Sequence, residues 1–231
     1  MTGNQLAHYR RERKRTQAQT ARALGVSQTY LSLLEAGKRP LTEKLTKKAV
    51  RFFDLAPTEF PARLALGELR SVSDDQLASD LADLGYTGFA HLRRARMRRK
   101  NPAEVLLTAL NAPQRDARLV EALPWLVLAF PDMKWKEVTS VAKMYDLQNR
   151  LGFVVSVARA LAERRLDSKA ASALKVREAE LERSMLARED TLCNETMTNA
   201  ERRWLTDHRP ANAKHWRLLA GLVPEHLNDH A

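Results

Sequence analysis

Gln28, Thr29 and Ser32, followed by Lys38 and Arg39, are the residues whose types and spacing suit a chemical task. On a helix, positions 28, 29 and 32 share one outward face, because residues three and four apart stack one above the other. A Gln amide can pair bidentately with adenine, and Ser or Thr hydroxyls can reach either kind of base pair. Lys38 and Arg39 are cations of the kind that meet phosphate. Such a set can hydrogen-bond base edges and neutralise a nucleic-acid backbone. It makes and breaks no bonds.

Residue sets suited to catalysis or metal binding do not assemble. There is no His-Glu-x-x-His, and no Gly-rich phosphate loop follows a strand. His208 and His215 are seven apart, which is wrong for an i, i+4 pair on one helix face. Cys193 has no partner cysteine, so no intramolecular disulfide can form, and it reads as a lone buried or half-buried thiol. The expectation is a protein without enzyme activity, cofactor or metal.

The elements that must position the reading face are short helices. The first runs from about Gln5 to Arg13, with Leu6 and Tyr9 inward. The second starts at Thr16, a good N-cap, and ends at Leu24-Gly25, where Gly suits the left-handed C-terminal position. Ser27 is the N-cap of the third, which carries Leu31 and Leu34 inward and stops at Ala36-Gly37. A fourth starts near Thr42 with Leu45, Ala49, Phe52 and Phe53 at helical spacing, and a short fifth is predicted from Pro61 to Leu69. Ala21 is small where two helices must cross, Gly25 makes the turn and Val26 fills the space beneath it. These are the requirements of a helix-turn-helix whose second helix lays its N-terminus in the major groove.

The pattern TQ…A..LGVSQ.YLS.LE.GKR, within about residues 5–56, resembles the Cro/C1-type helix-turn-helix, also called the xenobiotic-response-element family of bacterial and phage regulators. The resemblance implies a lambda-repressor-like bundle over residues 1–66 that binds double-stranded DNA as a transcriptional regulator. It implies that Gln17 touches phosphate and braces Gln28, and that Ser27, Gln28, Thr29 and Ser32 lie at the base-reading helix. Lys38 and Arg39 fall in the phosphate-contacting loop, and Arg10 and Glu35 at positions that form a partly buried ion pair. Three residues depart from the pattern. Thr20 and Arg15 stand where aliphatic residues (or, for Arg15, Tyr) are usual, which suggests a slightly thinner core or contacts made by the second domain. Leu33 stands where a polar residue usually faces DNA or solvent, which suggests apolar contact with a thymine methyl or a protein surface.

Charge points the same way. The net charge is +11, and residues 1–66 hold 13 Lys or Arg against 5 Asp or Glu, whereas residues 67–231 hold 26 against 23. The excess sits on the segment that carries the motif.

Beyond the polar link Ser71–Asp75, helical patterns fall near 74–84, 86–99, 102–111, 114–129, 134–145, 147–165 and 168–190. Shorter ones follow near 198–207, 211–221 and 224–229. With Gly and aromatics scarce and strand patterns nearly absent, the fold class is all-α, with a second helical domain over 72–231. Leu119–Trp135 and Leu151–Leu161 supply its core, with Trp125, Trp135, Trp204 and Trp216 as packing anchors. In the predicted 168–190 helix, Ala170, Leu174, Leu181 and Met185 form a narrow stripe suited to an antiparallel neighbour or a dimer seam.

Arg93, Arg94, Arg96, Arg98, Arg99 and Lys100 put six cations in eight residues. They read either as a second DNA contact along the backbone or as partners of acids such as Asp80 and Asp83. No signal peptide and no membrane span is visible, so a cytoplasmic bacterial protein, nucleoid-associated when bound to DNA, is expected. The second domain is expected to dimerise or to bind a partner. Two readings stay open: a sequence-specific regulator acting as a homodimer, and an antitoxin whose C-terminal domain binds a toxin while the helix-turn-helix autoregulates the operon.

Overall fold

The computed structural model, described for residues 1–62, 69–94 and 99–227, divides into two compact units, Met1–Ala62 and Arg63–Ala231. The fold is all-α. Among the described residues, strand is limited to one pair of two-residue segments.

The first unit holds α1 (Gly3–Glu12), α2 (Gln17–Leu24), α3 (Gln28–Glu35) and α4 (Glu43–Phe52), then a 3₁₀ turn, Pro57–Glu59. Each α-helix begins on a side-chain cap that satisfies an orphan N–H. Thr16 and Gln19 form a reciprocal capping box on α2, Ser27 Oγ accepts from the Tyr30 N–H, and Thr42 caps α4. The first helix starts two residues earlier than Gln5, because Thr2 and Gln5 form a second capping box. A glycine is required just inside it. A Cβ at position 3 would overlap the carbonyl of Leu34, so Gly3 lets α1 abut the end of α3.

Leu6, Ala21, Leu24, Leu31, Leu34, Ala49 and Phe53 form the buried core, with Val26 and Leu45 packed against it. Phe52 departs from the expected inward set. It is 38% exposed, meets Phe53 edge-on and lies under the Arg15 guanidinium at 6.0 Å, while Val50 and Thr46 are buried in its place. The helix expected from Pro61 to Leu69 falls largely on 63–68, outside the described residues.

The second unit contains α5 (Asp74–Leu84), a 3₁₀ segment (Thr87–Leu92), α6 (Pro102–Leu110), α7 (Ala117–Glu121), α8 (Leu123–Ala129) and α9 (Trp135–Met144). These are followed by α10 (Gln148–Arg164), α11 (Ser168–Glu182), β1 (Asp190–Thr191), α12 (Asn199–His208), α13 (Ala211–His215), β2 (Leu218–Leu219) and a 3₁₀ turn (Pro224–His226). The centre is α10, buried along most of its length from Gln148 to Ala162. Its Gly152 is necessary, because a Cβ there would run into the fully buried Trp216 indole. α11 folds back on α10 through a tight turn with Leu166 in the left-handed region (φ 57°), burying Ala171, Leu174 and Leu181. Leu174 and Leu181 of the expected stripe are therefore used within the chain, whereas Ala170 is half-buried and Met185 lies past the end of the helix. Parallel pairing of Asp190 with Leu218 and of Thr191 with Leu219 ties the return from α11 to the chain end.

Arg150, on α10, holds this region together. Its guanidinium donates to both Asp190 carboxylate oxygens (2.8 and 2.9 Å) and to the carbonyls of Leu110 and Ala112 at the end of α6. Cys193 is buried beside it, its Sγ directed at the Ala109 and Leu110 carbonyls. Burial pushes its thiol up to about 11 against the opposing pull of Arg150, so it stays protonated and unreactive.

Four expected elements differ. The 86–99 helix is a 3₁₀ segment that ends at Leu92, with Arg93 already extended. The 114–129 helix breaks at Ala122, since Pro124 has no N–H for the Val120 carbonyl. The 168–190 helix ends at Glu182, and the 211–221 helix gives way to β2. Trp204 is not a packing anchor: it is 58% exposed and stacks on His208 with centroids 4.7 Å apart.

Candidate nucleic-acid interface

The reading face is built on α3. Gly25 closes α2 in the left-handed conformation (φ 72°), and Lys48 Nζ, reaching from α4, donates to the Leu24 carbonyl at 2.8 Å. The Lys48 cation thus sits at the negative end of α2 and satisfies one of its orphan carbonyls. Val26 is half-buried beneath the turn. With Leu31 and Leu34 turned into the core, the opposite side of α3 presents Gln28, Thr29 and Ser32. All three are exposed, and among the described residues their side chains have no hydrogen-bond partner. Ser27, at the head of the same helix, differs: its hydroxyl oxygen is committed to the Tyr30 N–H.

Lys38 and Arg39 are exposed in the turn after α3, which their own N–H groups hold to the Leu33 carbonyl (2.9 and 3.2 Å). Neither side chain is paired among the described residues. Leu33 is half-buried.

The scaffold beneath this face is a charged clamp. Arg10 Nε donates to Glu35 Oε1 (2.6 Å) and Arg10 Nη2 to Glu35 Oε2 (2.9 Å), a bidentate pair joining α1 to α3. Arg10 Nη1 also donates to the Arg15 carbonyl, and Gln17 Nε2 donates to Glu35 Oε2 at 3.0 Å. Three helices thus meet at one carboxylate, and Arg10 also holds the connection between α1 and α2. Burial disfavours the charge of Glu35, but the bonds from Arg10 and Gln17 and the Arg10 charge outweigh it and hold the carboxyl below its ordinary range. The same bond raises the Arg10 guanidinium further.

Gln17 does not brace Gln28. Its amide is turned to Glu35, and nothing in local sequence tells the two amide partners apart. Thr20 is fully buried with its hydroxyl unpartnered, so the departure from an aliphatic costs the core a desolvated polar atom. Sequence reasoning missed Lys48, whose capping bond spans 24 positions and leaves no local signal.

In the second unit, three of the four described cations of the run, Arg93, Arg94 and Lys100, are engaged within the unit. Arg94 donates to Asp83 (2.7 Å) and Asp80 (2.8 Å), Lys100 pairs with Asp80 (2.6 Å), and Arg93 Nε donates to the Ala82 carbonyl near the end of α5. Arg99 is exposed, and Arg96 and Arg98 lie outside the described residues. Among the described residues no group of three acids, His or Cys could hold a metal ion, and no helix is long and apolar enough to cross a membrane.

Residues 3–62 match the family model for a helix-turn-helix domain, about a quarter of the chain, consistent with a Cro/C1-type helix-turn-helix at the N-terminus. The first unit is a helix-turn-helix domain. No curated protein matches the chain. No solved structure matches it.

Proposed function

We propose that this protein is a sequence-specific DNA-binding transcriptional regulator of the Cro/C1 type. The observation that carries the reading is the exposed, unpartnered polar face Gln28, Thr29 and Ser32 on a helix braced from behind by Glu35, Arg10 and Gln17. A polar amide and hydroxyls free of internal partners are available to base edges. Lys38 and Arg39 lie two and three residues past the cap of α3, where phosphate contacts would fix its register in the groove. An eight-residue helix reads few base pairs. The proposed mode is therefore a homodimer, joined through the second unit, whose two α3 helices lie about one turn of DNA apart (about 34 Å).

The test is selection of a preferred site from a randomised DNA library, then titration of that site and of scrambled DNA. Replacing Gln28 and Thr29 by Ala should cost about 1–3 kcal/mol of discrimination per good base contact. Because neither side chain supports the fold, the helical content should not change. Discrimination equal to wild type would place the reading surface elsewhere. One chain per bound duplex would refute the dimer.

A further inference from the structure

The second unit holds an open cleft of about 510 Å³, walled by α7, the 192–197 loop, Leu205 of α12 and the segment from Leu219 to Leu222. Its volume falls in the range of small-molecule sites, about 300–1,000 Å³. Much of the lining is apolar: Val120, Leu192, Met197, Leu205 and Leu219.

The charge of the cleft is acidic on balance. Arg115, the cation among its described lining residues, is neutralised by Asp74 (2.7 Å) and further held by the Val72 carbonyl. The carboxylates of Asp116 and Glu121 remain. Asp116 caps α7 through the Arg118 N–H. Glu121 is half-buried and, among the described residues, has neither a hydrogen-bond nor an ion-pair partner. An unpaired carboxylate against an apolar wall is a position that an incoming cation would relieve. In the other cleft of this unit, beside Trp135, Lys169 stands beside Asp132 and Asp167, Asp167 caps α11, and Arg177 is engaged by Glu180.

We infer that the cleft binds an organic monocation with an apolar body, its charged head at Glu121 and its body against Val120, Leu205 and Leu219. This does not depend on the DNA-binding reading.

The test is calorimetric titration of the full chain with three probes sharing a 4-phenylbutyl body, bearing trimethylammonium, hydroxyl or carboxylate. The ammonium should bind at one site per chain, about five-fold tighter than the alcohol, as for a favourable partly exposed ion pair. The carboxylate should bind most weakly. Glu121→Gln should bring ammonium and alcohol level, and Ala117→Trp, at an exposed position on the cleft wall, should weaken all three. Equal affinities in the wild type, a preference surviving Glu121→Gln, unchanged binding in a folded Ala117→Trp protein, or no binding of any probe at millimolar concentration would each overturn the proposal.

Discussion

Glu35→Gln tests the clamp on which the reading face depends. The substitution keeps the shape and lets one amide oxygen accept from Arg10, but it removes the charge. The Arg10 and Glu35 side chains are 13% and 7% exposed, so the guanidinium is left largely desolvated without a counter-charge. Removing one partner of a fully buried pair costs about 3–5 kcal/mol. Here Arg10 keeps its bond to the Arg15 carbonyl and gains one to the new amide, so about 2 kcal/mol is expected.

Segment-resolved hydrogen exchange on the full chain suits the measurement, because the four Trp residues (125, 135, 204 and 216) all lie in the second unit and fluorescence would not see the first. Slow amides of α1, α2 and α3 should exchange about thirty-fold faster, at 1.36 kcal/mol per factor of ten. The pH dependence adds a second check. A carboxyl held below its ordinary range contributes stability that is complete above the unfolded value, about 4.3, and is lost as pH falls through the lower folded one. Wild type and Glu35→Gln should therefore converge in acid. Unchanged exchange at neutral pH, or a difference that persists undiminished in acid, would refute the reasoning.

Replacing Lys38 and Arg39 together by Ala should weaken binding to specific and scrambled DNA alike and reduce the log–log salt slope by about 1.8 per chain. An altered sequence preference with an unchanged slope would assign them to base readout. Gly152→Ala drives a methyl into the Trp216 ring and should destabilise the second unit by about 1–3 kcal/mol, measured by urea unfolding with Trp emission. An unmoved midpoint would show that the contact can relax without cost.

Legibility in the sequence followed the range of the interaction responsible. Thr16, Ser27, Thr42 and Ser73 each cap a helix through an N–H three residues on, so a local window contains the whole signal. The Thr2 and Gln5 box was equally local, and its spacing could have placed the start of α1. The orientation of Gln17 was not legible, because Glu35 lies 18 positions away and only the assembled helices bring it near. Trp204 resisted for a related reason. Tryptophan is read as core by default, yet α12 carries no fully buried residue and its ring is covered by His208 alone among the rings described.

The Arg93–Lys100 run is the instructive case, because composition gave two readings that only tertiary partners distinguish. Asp80 and Asp83 are each 2% exposed on α5, and Arg94 reaches both while Lys100 reaches Asp80. A backbone that leaves helical geometry at Arg93 is what lets these side chains turn back on α5. Cations so placed cannot also release counterions from DNA without stranding two buried carboxylates. Arg94→Ala should therefore act on stability, with a loss of about 3 kcal/mol, because it removes the guanidinium that the buried Asp83 and Asp80 carboxylates share. It should leave the salt slope of DNA binding unchanged. A phosphate contact would give the reverse pattern, an unaltered unfolding midpoint with a slope smaller by about 1. That pattern would restore the run as a second DNA contact.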